Sequence, residues 1–130
     1  MITKKLAEFE AAAALIRLLI LENEGQKVEN IEWPELLLIF GDKLILKVSV
    51  TYNNGYAFLT FDEVWCVEKI DNGLIGKKLL SISRWPREFT FEKVENAEEI
   101  EGKIRVTIKT TIFEREGRRE FKRYEIIALN

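Results

Sequence analysis

From residue 31 onward the chain is punctuated at short intervals by turn-forming residues, and this restricts the fold more than any other feature. Gly41-Asp42, Asn53-Asn54-Gly55 and Asp71-Asn72-Gly73 each separate two apolar runs, and residues 114–117 do so again near the C-terminus. Such short links join antiparallel neighbours, because parallel strands need a crossover of a dozen residues or more. Glycine at the first central position of Gly41-Asp42 suits a type II′ hairpin turn. Strands are predicted over 36–40, 43–52, 56–70, 74–83, 88–94, 103–113 and 118–129. Residues 43–52 and 103–113 alternate apolar and polar side chains, the period of a strand. In 56–70 that parity shifts at Asp62-Glu63, which predicts a bulge. Asn96-Ala97-Glu98-Glu99 has the spacing of a capping box and predicts one helical turn.

Before the strands lies one helix, predicted over 3–24, with Thr3 as its N-cap and Gly25 at its C-cap. Leu6, Phe9, Ala13, Ile16 and Ile20 recur at helical spacing. Leu15, Leu18, Leu19 and Leu21 widen that stripe until the second half is apolar nearly all round. A helix of this kind is buried on more than one side. It should lie across a sheet, with something else on its back. The expected architecture is α+β: one long N-terminal helix packed on a curved antiparallel β-meander of about six to seven strands. It forms a single domain over 1–130, with the sheet over 31–129. Trp33-Pro34 and Trp85-Pro86 each open a similar run of strand, turn and strand, which a β-meander shows without any internal repeat.

The chain has no histidine and a single cysteine, Cys66. The commonest acid–base residue and the commonest zinc ligand are therefore missing. No Walker loop, dinucleotide fingerprint or Cys-x-x-Cys occurs. Cys66, beside Trp65 and between Val64 and Val67, reads as a buried structural cysteine. Asp62, Glu63 and Glu68 lack the glycine-bounded loop of a cation site. No catalytic residue, metal or cofactor is predicted. No segment reads as a secretory signal, and the longest apolar run, 11–21, is interrupted by Arg17 and too short to span a bilayer. The cytoplasm is the expected location, with no membrane partner. Much Glu, Lys and Ile with one Gln and no His is a composition also found in thermophiles.

Two surfaces stand out. In the hairpin around Gly41-Asp42, Leu37, Ile39, Leu44, Leu46, Val48 and Val50 share a core face. The opposite face carries Leu36, Leu38, Phe40 and Ile45 beside Lys43 and Lys47. A solvated face should be polar there. This patch is expected either to be a homodimer interface or to be covered by the chain itself. The second surface is basic. Residues 103–125 carry eight Lys or Arg against four Glu, while 87–101 carry two against six. Arg105, Lys109, Arg115, Arg118, Arg119, Lys122 and Arg123 form a candidate nucleic-acid ribbon. A net charge of −2 is low for a dedicated nucleic-acid binder, and the acidic stretch is an alternative partner for the ribbon. Trp33, Trp65 and Trp85 are candidates to line a pocket for a small apolar ligand. The leading expectation is a non-enzymatic interaction module that self-associates through the apolar patch. Nucleic-acid binding is the alternative, and binding of a small apolar ligand the second.

Overall fold

The computed structural model describes residues 2–129 apart from Glu24 and Gln26, with residues 2–6 described by backbone alone. Helix α1 (Ile2–Leu21) opens the chain. Thr3 lies within it, and its side chain falls outside the described set. The helix ends earlier than expected, and Gly25 does not cap it. The closing bonds are Glu22 N–H to the Leu18 carbonyl (2.9 Å) and Asn23 N–H to that of Ile20 (3.2 Å). The Asn23 side chain then accepts the Gly25 amide at 3.2 Å.

Eight strands follow, in two sheets rather than one meander. The first sheet holds β1 (Lys27–Ile31), β2 (Glu35–Phe40), β3 (Lys43–Asn53), β4 (Phe58–Ile70) and β5 (Gly73–Ser83). β4 lies between β3 and β5, while β1 and β2 share the other edge of β3, all antiparallel. The second sheet is β6 (Thr90–Ile100), β7 (Lys103–Glu114) and β8 (Gly117–Ala128), in that order. β1 goes unpredicted because Lys27, Glu29 and Asn30 leave only Val28 and Ile31 apolar, too few to mark a strand.

The break falls at Trp85-Pro86. Proline lacks the N–H that would continue the ladder. The next four residues close a turn in which the Thr90 amide donates to the Arg87 carbonyl (3.2 Å). Phe89 holds φ at 57°, a conformation that favours glycine and strains a bulky residue. One bond from the Glu92 amide to the Arg84 carbonyl (2.8 Å) ties the new strand to the corner.

Two local expectations are overturned by tertiary pairing. Residues 96–99 are strand, not a helical turn, because Ala97 pairs with Val106 and sits in the core. Glu101 and Gly102, at φ 51° and 77°, close that hairpin as a type I′ turn requires. The shift at Asp62-Glu63 is not a bulge either. β4 pairs with β3 without interruption from Phe58 to Glu68, and the irregularity lies in β5 between Lys78 and Leu80. Parity vanishes in β4 because both faces are covered, so residues 62–67 are all buried. The Gly41-Asp42 turn is as expected, with Gly41 at φ 59° and Phe40 paired to Lys43.

The first sheet is thus the middle layer of three. On one face Ala12, Ile16 and Ile20 of α1 pack on Leu46, Val48, Val50, Trp65 and Val67. Gly76 leaves room for this docking: a Cβ there would lie 2.8 Å from a Leu19 methyl. On the other face Ile45, Val64, Cys66 and Ile82 meet Val94, Ile104, Val106 and Ile108 of the second sheet. The two faces of the apolar hairpin are covered by the helix and by the C-terminal sheet.

Candidate functional site

Adjacent residues on the central strand carry buried carboxylates to opposite faces. Asp62 faces the second sheet, where its Oδ1 accepts from Ser49 Oγ (2.7 Å) and Arg84 Nε (3.0 Å). Its Oδ2 accepts the Val94 amide at 2.8 Å. Arg84 also donates to Ser49 Oγ (2.9 Å), and Lys47 donates to the Val94 carbonyl (3.0 Å). Glu63 faces the helix, where it accepts from Tyr52 Oη (2.7 Å) and Trp65 Nε1 (2.9 Å), with Lys78 Nζ at 3.7 Å. Burial, with Glu63 beside it, pushes the Tyr52 phenol far above its ordinary value. These groups bind each other rather than an open cleft. Among the described residues no buried side-chain polar atom lacks a partner, and no acidic or sulfur cluster has the makings of a metal site. Cys66 is buried, and burial raises its thiol above the ordinary range, so it is held as the unreactive thiol.

The four residues of the apolar patch do not stay together. A register irregularity between Leu36 and Leu38 turns Leu36 to the helix side, paired with Leu46. Ile45 is fully buried between the sheets, and Leu38 and Phe40 pack against the same core. The second sheet, read from sequence as part of one meander, is what covers them. Leu36 instead lines a hollow of about 260 Å³ at the start of α1, with Phe9, Ile39, Leu44, Val67 and Leu74. The three tryptophans separate as well. Trp65 is in the helix-side core, while Trp33 and Trp85 are exposed in different connecting segments, β1–β2 and β5–β6.

The seven basic candidates are sorted by the strand period. Arg123 and Arg119 lie on the inner side of the second sheet, where Arg123 grips Glu92 (2.8 and 3.1 Å) and Arg119 pairs with Glu114. Arg115 lies in the turn. Arg105, Lys109, Arg118 and Lys122 lie on the outer side, paired in turn with Glu98, Glu120, Glu120 and Glu95. The acidic strand β6 therefore supplies three of the ribbon's partners within the chain. Arg123, ahead of Thr110, holds the Glu92 carboxyl below its ordinary value of 4.5. A lowered folded-state value means the stabilisation is present above that ordinary value and is lost as pH falls through the lowered one. At pH 7, Glu92→Gln should cost about 1 kcal/mol, the low end for a charged hydrogen bond since Arg123 is partly exposed. The gap in melting temperature from wild type should narrow below pH 4.5; a gap that stays constant contradicts the assignment.

One surface was not singled out from sequence. Ala7, Ala11, Ala14, Leu18 and Leu21 are all exposed and recur at spacings of 4, 3, 4 and 3 along the outer side of α1. Leu18 is 56% exposed and Leu21 58%. The sequence required a cover on the back of this helix, and none of the described residues provides one. Glu10 and Arg17 lie one heptad apart on one flank of the stripe, with Arg17 over the Trp33 ring at 5.8 Å. Glu8 and Glu22 lie on the other. No helix is long and apolar enough to cross a membrane among the described residues. Comparison with family models, curated proteins and solved structures gives no match.

Proposed function

We propose that the protein is a non-enzymatic interaction module that works as a homodimer, joined by the outer side of α1. The observation that supports this is the exposed stripe Ala7, Ala11, Ala14, Leu18 and Leu21. Its alternating spacing is that of a two-helix seam. The self-association expected of a sheet face moves to the helix, because the sheet face is filled from within the chain.

The order of the residues favours an antiparallel pair about a two-fold axis at Ala14. Leu18 of one copy then meets Ala11 of the other, and Leu21 meets Ala7. Large side chains oppose small ones, which is how facing positions interdigitate. A parallel pair would set leucine on leucine at one end and alanine on alanine at the other. The antiparallel register also sets Glu10 beside the partner's Arg17. It brings Glu8 towards the partner's Glu22, a repulsion worth a few tenths of a kcal/mol at an exposed site. Burial of each leucine contributes about 1.5–3 kcal/mol at full coverage, so the apolar term decides. Sedimentation equilibrium should show a dimer for wild type and a folded monomer for Leu18→Glu/Leu21→Glu, with an unchanged circular dichroism spectrum. A monomeric wild type, or a dimer that tolerates both glutamates, overturns the reading.

A further inference from the structure

The outer side of the second sheet breaks a rule of strand pairing. Lys93 on β6 pairs with Lys109 on β7, and Lys109 pairs with Lys122 on β8, so three lysines stand directly abreast. Like charges in that position are destabilising. Only Lys109 and Lys122 have carboxylate neighbours among the described residues, Glu120 at 3.3 Å and Glu95 at 3.4 Å. Lys93 adds to this crowding with no carboxylate neighbour among the described residues, and such an uncompensated local cost is where a binding role is sought.

Aromatic rings flank the lysines on the same side. Two residues along β6 is Phe91, under Trp85 with ring centroids 5.0 Å apart, and Trp85 also stacks on Phe113 at 6.1 Å. Trp85 is 57% exposed. On the far side of the lysines is Tyr124, half exposed, with the Arg105 guanidinium 4.7 Å from its ring centroid. Arg118, paired across from Phe113, adds a further cation at the Trp85 end. A shallow hollow lined by Lys109, Lys122, Glu95, Glu120 and Phe121 lies beside the row.

We infer that this face is a platform for single-stranded nucleic acid. Phosphates run along the row Lys93, Lys109 and Lys122, and bases stack at Trp85 and Tyr124. Cations abreast with aromatic rings on both sides match the alternation of charge and ring in such a strand. An acidic protein segment would satisfy the lysines and leave the rings without a function. The acidic overall charge is no obstacle, because the face itself carries Lys93, Arg105, Lys109, Arg118 and Lys122 against Glu95, Glu98 and Glu120. Four of these cations belong to the ribbon the sequence suggested. Lys93 and Trp85 do not, because they come from the acidic stretch and from the corner between the sheets.

The test is fluorescence anisotropy with a labelled oligothymidylate across a salt series. Wild type should bind with a slope of log affinity against log salt of about −2, as three phosphate contacts on a single strand give. Lys93→Gln/Lys122→Gln should weaken binding about tenfold or more and reduce the slope to about −1. Its melting temperature should stay close to wild type, since relief of the like-charge crowding offsets the loss of the exposed Lys122–Glu95 pair. Trp85→Ala should also weaken binding, and Trp85→Phe should restore most of it. The double variant Lys69→Gln/Lys77→Gln removes the same charge from the first sheet and should bind like wild type. No binding by wild type at low salt overturns the inference, as does equal weakening by the two lysine pairs. Tighter binding to a duplex of the same length overturns it too. Displacement of the oligonucleotide by polyglutamate at lower concentration would reassign the face to an acidic protein partner.

Discussion

Asp62→Ala should lower stability by about 3–5 kcal/mol, the cost of breaking a buried ion pair by removing one member. The carboxylate joins Ser49 on β3, Arg84 in the corner just past β5 and the Val94 amide on β6. Alanine leaves Arg84 partly buried without its carboxylate and a buried amide without an acceptor. The same change loosens the corner at which the second sheet attaches to the first. Globular domains are stable by only about 5–15 kcal/mol, so the variant should melt far below wild type or fail to fold. Chemical denaturation gives the number. A loss under about 1 kcal/mol would mean that Asp62 does not anchor the sheets.

Ile45→Ala is the second large effect, at about 2–5 kcal/mol. Ile45 is fully buried between the sheets, in contact with the core that Val64, Val106 and Ile108 share. Were Ile45 part of an open contact surface, as the hairpin alone suggested, truncation would change monomer stability by no more than about 0.5 kcal/mol. Equilibrium denaturation separates the two values without reference to any partner.

Those residues show where sequence reasoning reaches and where it stops. The helix and seven of the strands are legible because their signals are local: helical spacing in 6–20, alternation in 43–52 and 103–113, and glycine at Gly41. β1 is not legible, since Lys27–Ile31 has two apolar residues and owes its strand state to pairing with β3. Residues 96–99 carry a helix-start pattern, and a partner strand overrides it. The division into two sheets depends on a corner at Trp85-Pro86, which reads locally as any break between strands does. For the same reason Leu38, Phe40 and Ile45 look like a free patch: their cover begins at Val94 and comes from a distant part of the sequence.

The two candidate surfaces needed the fold for another reason. An apolar helix announces that it needs covers, but not which side its own sheet takes. Once Ala12, Ile16 and Ile20 are buried, the remaining stripe of alanines and leucines is defined. The abreast lysines depend on register. Lys93, Lys109 and Lys122 align only because one residue is accommodated as a bulge between Val94 and Asn96, after Lys93 has paired. Strand patterning places each lysine on a face, and pairing places all three in one row. The charge asymmetry between 87–101 and 103–125 was a true signal of this region. It reports mainly the ion pairs Glu92–Arg123, Glu95–Lys122 and Glu98–Arg105 that hold the second sheet together.

The homodimer through α1 is tested most directly by disulfide trapping with single cysteines on the stripe. In a Cys66→Ala background, Ala14→Cys and Leu21→Cys are compared under mild oxidation. The antiparallel pair places the two copies of residue 14 together at the axis and the two copies of residue 21 at opposite ends. The account predicts that Ala14→Cys is trapped rapidly as a covalent dimer and Leu21→Cys is not. Trapping at both positions would show a parallel pair, and trapping at neither would show that the helix faces no second copy.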